Sequence, residues 1–216
     1  MLHPHTELRF IKKEIGYGVI ATRFIPRGTI IWVRDELDQT VTPIQMEKFK
    51  AAYGDKLEKY CFMERGRWIL CWDIARYVNH SCDANCMETG FDFEISVRDI
   101  YPGEELTEDY GTLNLSSSLK CYCGSPHCRQ IVRPDDPLRL ADHWDQVVRM
   151  AFPCVASVPQ PLWCLVKSRK AVKRVLARPD LLPSSLLNYC PSNQDIETLP
   201  AGIIASPGGC VAGAFS

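Results

Sequence analysis

Three cysteines lie close together in Cys121-Tyr122-Cys123-Gly124-Ser125-Pro126-His127-Cys128, and this run constrains the fold more than any other. Three thiolates at that spacing make up most of a closed zinc site, which needs a fourth ligand. By position alone, His127 and Cys86 are alternative ligands. The spacing is too short for a common zinc finger, and the cluster alone also suits a redox pair or unliganded thiols. The chain holds 11 cysteines, and an odd count argues against a fully paired disulfide framework. Cys61, Cys71, Cys154, Cys164, Cys190 and Cys210 show no ligand spacing and read as small core or surface residues.

The rest of the composition is that of an ordinary globular protein. With 46% hydrophobic and 24% charged residues in 216, one good core is affordable and wholesale disorder is excluded. A net charge of −1 provides no global field to draw the protein onto nucleic acid. The first residues, Met1 to Glu7, contain no apolar stretch of a secretion signal, and no run reaches membrane-span length. The expectation is a soluble intracellular monomer, cytoplasmic, or nuclear in a eukaryote.

Local patterns predict short strands at 17–21 and 29–33 around the turn Pro26-Arg27-Gly28, and further strands at 67–72 and 93–97. A helix is predicted over 43–59, capped by Thr42 with Pro43 in its first turn. Its apolar face would be Ile44, Phe49, Tyr53 and Leu57. Beyond Asp135-Asp136-Pro137 the composition shifts towards two helices, 138–152 and 161–177. The small, Gly-rich residues 200–216 read as a flexible tail.

Three other segments carry chemistry. Gly16-Tyr17-Gly18 alone is a turn, and no helix follows it as a dinucleotide fingerprint requires. Arg76-Tyr77-Val78-Asn79-His80-Ser81-Cys82-Asp83-Ala84-Asn85 offers an amide with donors and an acceptor beside an imidazole and a thiol. Gly103-Glu104-Glu105-Leu106-Thr107-Glu108-Asp109-Tyr110 is a charged turn entering a strand. Together with the cysteine run, and in this order, these segments resemble the SET-domain protein-lysine methyltransferases, over roughly residues 6–132.

The resemblance implies a mainly β fold with some α: small curved sheets around a knot-like core, where the Tyr110 segment crosses the Asn79 segment. It implies a SET domain over 6–111 and a post-SET zinc loop over 117–133. A helical C-terminal extension (134–199) would follow, ahead of the tail. The implied reaction moves a methyl group from S-adenosylmethionine to a lysine amine of a protein, histone or other. Gly16, Tyr17, Gly18, Asn79, His80 and Tyr110 would bind the donor, and Tyr110 would organise catalysis. Tyr60, Phe62 and Glu108 would line the lysine channel, and Cys82, Cys121, Cys123 and Cys128 would hold zinc. Two positions depart from the family pattern. Ala84 replaces a usual proline, and Glu108 stands where an aromatic residue is common. A carboxylate there favours a charged amine unless it points to solvent.

The resemblance does not reach the C-terminal third. There, residues 162–178 interleave Lys167, Arg169, Lys170, Lys173, Arg174 and Arg178 with apolar positions. The plain reading is a helix packed by its apolar stripe, with a solvated basic face. An anionic partner, nucleic acid included, is the alternative, and this helix is the only part of the chain that suggests one. For the whole chain, the rival to an enzyme is a SET-like module that binds a peptide without turnover.

Overall fold

The computed structural model describes residues 1–64 and 66–189, and the backbone of 203–205 and 211–213. Three small sheets carry the N-terminal two thirds. In the first, β1 (Thr6–Lys12) pairs antiparallel with β2 (Gly16–Ala21). In the second, β3 (Ile30–Val33) lies at one edge. In the third, β4 (Gln39–Val41) leads into helix α1 (Pro43–Tyr53). β5 (Cys61–Glu64) and β6 (Arg67–Leu70) then complete that sheet in the order β4-β6-β5. The strands predicted around Pro26 exist, but they separate into different sheets instead of forming a hairpin.

The chain next forms the two-residue strand β7 (Asn79–His80), β8 (Cys86–Glu88) and β9 (Phe93–Ser96). β9 pairs with both β3 and β8. β10 (Glu105–Glu108) then enters the first sheet between β2 and β7. Its pairing with β7 is parallel, Thr107 opposite Asn79 and Glu108 opposite His80. This places Tyr110 beside the Asn79 segment, 31 residues back along the chain.

α1 opens as the sequence predicts. Thr42 and Gln45 form a reciprocal capping box, and Pro43 sits in the first turn. Its length and buried face differ from prediction. The α-helix ends at Tyr53 and continues as two short 3-10 turns, 54–56 and 58–60. Ile44 is 83% and Tyr53 63% exposed, whereas Met46 alone is buried. The helix rests on a sheet of only three short strands, which has room to bury one of its side chains.

The C-terminal extension is not an appendage. After a hairpin of β11 (Leu119–Lys120) and β12 (Ile131–Val132), helix α2 (Asp136–Ala151) buries Pro137, Ala141, Trp144, Val148 and Ala151, a stripe of helical period. Trp144, Val148 and Ala151 share one core with Ile30, Val33, Phe93 and Ile95 of the β3-β9-β8 sheet, and with Val172 and Val175 of α3. α3 runs only from Arg169 to Ala177, a 3-10 turn at 163–165 standing where the sequence predicts helix. A second core, with Val19, Ile25, Ile31, Ile100 and Leu106, fills the space between the first two sheets. Gln160 stitches the extension to β3: its side chain accepts from Ile30 N at 2.8 Å and donates to Gly28 O at 2.8 Å. Most of the expected tail lies outside the described residues; within it, β13 (Ile203–Ala205) pairs with β14 (Val211–Gly213). No helix of the described residues is long and apolar enough to cross a membrane.

Gly28 tests this union. Its φ is +87°, and an added Cβ would meet Cys154 Cβ at 2.5 Å and that residue's carbonyl carbon at 2.7 Å. Gly54 also has positive φ, +62°, but faces open space. Gly54→Ala should cost about 1 kcal/mol from backbone strain alone. Gly28→Ala should cost about 3 kcal/mol or more, because strain and overpacking add. Urea unfolding compares the two; equal costs would contradict the packing of the extension on this turn.

Candidate functional site

Asn79, His80 and Tyr110 converge on one open cleft, walled on the far side by Leu119, Lys120, Cys121, Tyr122 and Cys123. Parallel pairing of β7 and β10 brings the three residues together. Asn79 Nδ2 donates to Tyr17 O at 2.9 Å and to Glu105 Oε1 at 2.7 Å. Its Oδ1 accepts no hydrogen bond among the described residues and remains available to a ligand. Gly18 makes this arrangement possible, since a Cβ there would sit 2.2 Å from Glu105 Oε1 and 2.8 Å from Asn79 Nδ2. Tyr17 leans away, half exposed, with its ring edge-on to Phe10 and Tyr77. Ile15, which sequence reasoning missed, lines the cleft instead.

The Tyr110 hydroxyl donates to Val78 O at 2.8 Å. Burial pushes its pKa up, and the nearby Glu105 charge pushes it further, so the phenol stays protonated at neutral pH. Its backbone N–H donates to His80 Nδ1 at 3.1 Å. That bond fixes the imidazole tautomer: with Nδ1 accepting, Nε2 carries the proton and donates to Cys82 Sγ at 3.3 Å. The His80 side chain therefore links the tyrosine to the cysteine cluster.

In that cluster, Cys82 Sγ lies 3.7 Å from Cys121 Sγ. Four sulfurs around a tetrahedral ion at about 2.3 Å would be about 3.8 Å apart. Cys121 also touches the Cys123 and Cys128 thiols. Backbone N–H groups point at the sulfurs, from Arg129 to Cys82 (3.3 Å), Cys123 to Cys121 (3.5 Å), Gln130 to Cys128 (3.3 Å), and Cys82 and Ser125 to Cys123. Burial raises the Cys123 thiol, but backbone N–H donors and the neighbouring thiols outweigh it and bring the pKa down to about 7. His80, Cys82, Cys121 and Cys123 present donor atoms within 4.8 Å of one another. In this tautomer His80 Nε2 donates to sulfur, so Cys82, Cys121 and Cys123 remain the candidate ligands of that group, with the Cys128 thiol against Cys121. His127 is exposed, and Cys86 is buried against Asn85, so neither joins it.

Two expected channel residues lie elsewhere than in this cleft. Tyr60 packs edge-on to Tyr77. Phe62 packs against Trp32 and lines a neighbouring pocket with Glu88, Glu94 and Asn188. Glu108 is half-buried. Its carboxyl is hydrogen-bonded to that of Glu94, which sequence reasoning missed, inside packed protein although both residues keep some exposed surface.

Asp109 and its partners were also missed. The buried carboxylate accepts two bonds of 2.7 Å from Arg129, one of 3.1 Å from Trp144 Nε1 and one of 2.9 Å from Gly111 N. Arg129 also lies 3.3 Å from Asp136. In α3, Arg169, Lys170, Lys173 and Arg174 are exposed and form no ion pair among the described residues, while Arg178 pairs with Asp180.

The cleft, the parallel crossing of two motif strands and the cysteine cluster are the features to set beside known proteins. Residues 16–111 match the family model for the SET domain. That match covers just under half of the chain, and over it the chain is similar to SET-domain proteins. It is 31% identical over 137 residues to histone-lysine N-methyltransferase Set2 of Drosophila melanogaster, a match covering 56% of this chain and 6% of that protein. It is 38% identical over 142 residues to histone-lysine N-methyltransferase ASHH2 of Arabidopsis thaliana, covering 59% and 8%. The chain thus matches less than a tenth of either relative. Among solved structures, the methyltransferase domain of human SETMAR aligns with a TM-score of 0.45 at 20% identity, over 61% of this chain and 58% of that one.

The Glu94–Glu108 pair sets a pH dependence. Burial raises Glu94 from 4.5 to about 7, although the bond to Glu108 lowers it; burial and the Glu94 charge raise Glu108 further. A carboxyl with a raised folded pKa binds more protons folded than unfolded. Its contribution is therefore full below about 4.5 and is lost as pH climbs towards about 7. Glu94→Gln should gain stability relative to wild type steadily across that window, read as the difference between two urea-midpoint series. A difference that does not change with pH would show that the pair is not held protonated.

Proposed function

We propose that this chain transfers a methyl group from S-adenosylmethionine to the side-chain amine of lysine in a protein. The observation that carries this reading is the cleft in which Asn79, Tyr110 and the cysteine loop meet. The relatives named above are histone-lysine N-methyltransferases, which makes histone tails the first substrates to try.

The cleft fits the donor. The open Asn79 Oδ1 can accept from an ammonium group, and the space that a Cβ at Gly18 would fill is already taken by Asn79 and Glu105. S-adenosylmethionine, when bound, supplies an electrophilic methyl on a sulfonium centre. The protein's part is alignment and proton control. Because the Tyr110 hydroxyl donates its hydrogen bond to Val78 O, its lone pairs remain free to accept from an amine N–H, which turns the nitrogen lone pair towards the donor. Glu108, kept protonated against Glu94, adds no negative charge that would hold the amine as ammonium. Desolvation of the amine near a positive centre favours its neutral form.

Cys82, Cys121, Cys123 and Cys128 would hold one zinc ion, whose chemistry is structural: it ties the β7 turn to the loop that walls the cleft. Metal analysis of freshly reduced protein should find about one zinc per chain, falling several-fold in Cys82→Ser; a clean zero in wild type would overturn the assignment.

For the reaction, wild type should pass tritium from labelled donor to histone or lysate protein. Tyr110→Phe should retain donor affinity and lose about 100-fold or more of the rate. Asn79→Ala should lose donor affinity by calorimetry, by about tenfold for one hydrogen bond to a charged group. Full activity in Tyr110→Phe would remove the mechanism.

A further inference from the structure

Trp144 lies in α2, beyond the residues that match the SET domain, yet it reaches the residue next to Tyr110. Its indole N–H donates to Asp109 Oδ2 at 3.1 Å, and the ring edge lies against Gly111, where a Cβ would be 3.0 Å from Cζ2 and Cη2. Asp109 and Gly111 flank Tyr110 on both sides. The other Asp109 oxygen caps the 3-10 turn that starts at Tyr110, accepting from Gly111 N at 2.9 Å. Arg129 closes the carboxylate with two bonds of 2.7 Å. Asp136, the first residue of α2, accepts from Arg133 N at 3.0 Å and lies 3.3 Å from Arg129. The backbone that carries Tyr110 is thus clamped between α2 and the cysteine loop.

We propose that Trp144 is a positioning residue for Tyr110, so that the C-terminal helix completes the catalytic site. It acts through the Asp109 carboxylate, whose orientation sets the turn from which the tyrosine projects. A packing residue at this position would need only the ring. The N–H aimed at a buried, fully engaged carboxylate is a second function, and only tryptophan combines the two here. The inference rests on the reading of Tyr110 as the catalytic tyrosine.

Replacement of Trp144 by benzothienylalanine, in which sulfur takes the place of the indole N–H at nearly the same shape, isolates the hydrogen bond. Trp144→Phe is the genetic counterpart, with some loss of packing on Gly111. We expect kcat to fall by about 10–100-fold, the penalty for a slightly misplaced reacting group, with donor affinity, bound metal and thermal midpoint little changed. Combining the replacement with Asp109→Asn should add little beyond the larger single effect, because both act through one carboxylate. Unchanged kcat in the isostere, additive losses, or a loss of kcat that tracks metal content and thermal midpoint would each overturn the proposal. The 19F resonance of 3-fluorotyrosine at position 110 gives a readout independent of turnover. A shift in the isostere supports the proposal and an unmoved resonance overturns it. Failure of wild type to methylate any lysine would refute the functional reading instead.

Discussion

The Asp109 carboxylate is the point on which the rest of the structure depends. It sits between β10, the cysteine loop and α2, and accepts from Arg129, Trp144 and Gly111. A buried ion pair contributes little net stability over an apolar substitute, but removing one partner strands a charge at a cost of about 3–5 kcal/mol. Its value is therefore geometric. Arg129 is drawn into the same arrangement twice, since its side chain holds Asp109 while its backbone N–H holds Cys82 Sγ at 3.3 Å. Burial opposes the guanidinium charge, and Asp109, Cys82 and Asp136 together outweigh that and favour it.

This arrangement divides the molecule into a rigid frame and an adjustable wall. The frame is the β3-β9-β8 sheet with the C-terminal helices behind it, joined by one apolar core and by Gln160. The wall is the β11–β12 hairpin with its cysteines, whose two-residue strands give it little stability of its own. A metal ion and the Arg129 clamp are what can hold such a loop over the cleft. The His80 imidazole, bridging Tyr110 N and Cys82 Sγ, transmits the position of one to the other.

Much of this was legible in the sequence, and the illegible parts share a cause. Asn79, Tyr110 and the four cysteines stand out because motif spacing announces them, and Thr42 because capping is local chemistry. Ile44, Phe49 and Tyr53 read as a buried stripe because periodicity says nothing about how much surface lies opposite a helix. Glu94 and Glu108 read as ordinary strand residues; their pairing depends on how the two sheets that carry β9 and β10 pack, which only tertiary structure sets. Trp144 and Gln160 were hidden for the same reason, since each acts on a strand more than 30 residues away. The extension looked separate because its composition changes, although it packs as part of the central core.

On the proposed function, the cysteine cluster, the Asp109 clamp and the cleft form one cooperative unit. The most direct measurement is the calorimetric affinity for S-adenosylmethionine before and after the thiol-bound metal is removed by a chelator under reducing conditions, with urea unfolding to confirm that the frame persists. The account predicts that donor affinity falls by about tenfold or more, the scale of a lost wall contact with a charged ligand, while the frame still unfolds cooperatively. An affinity that is the same with and without metal would contradict it.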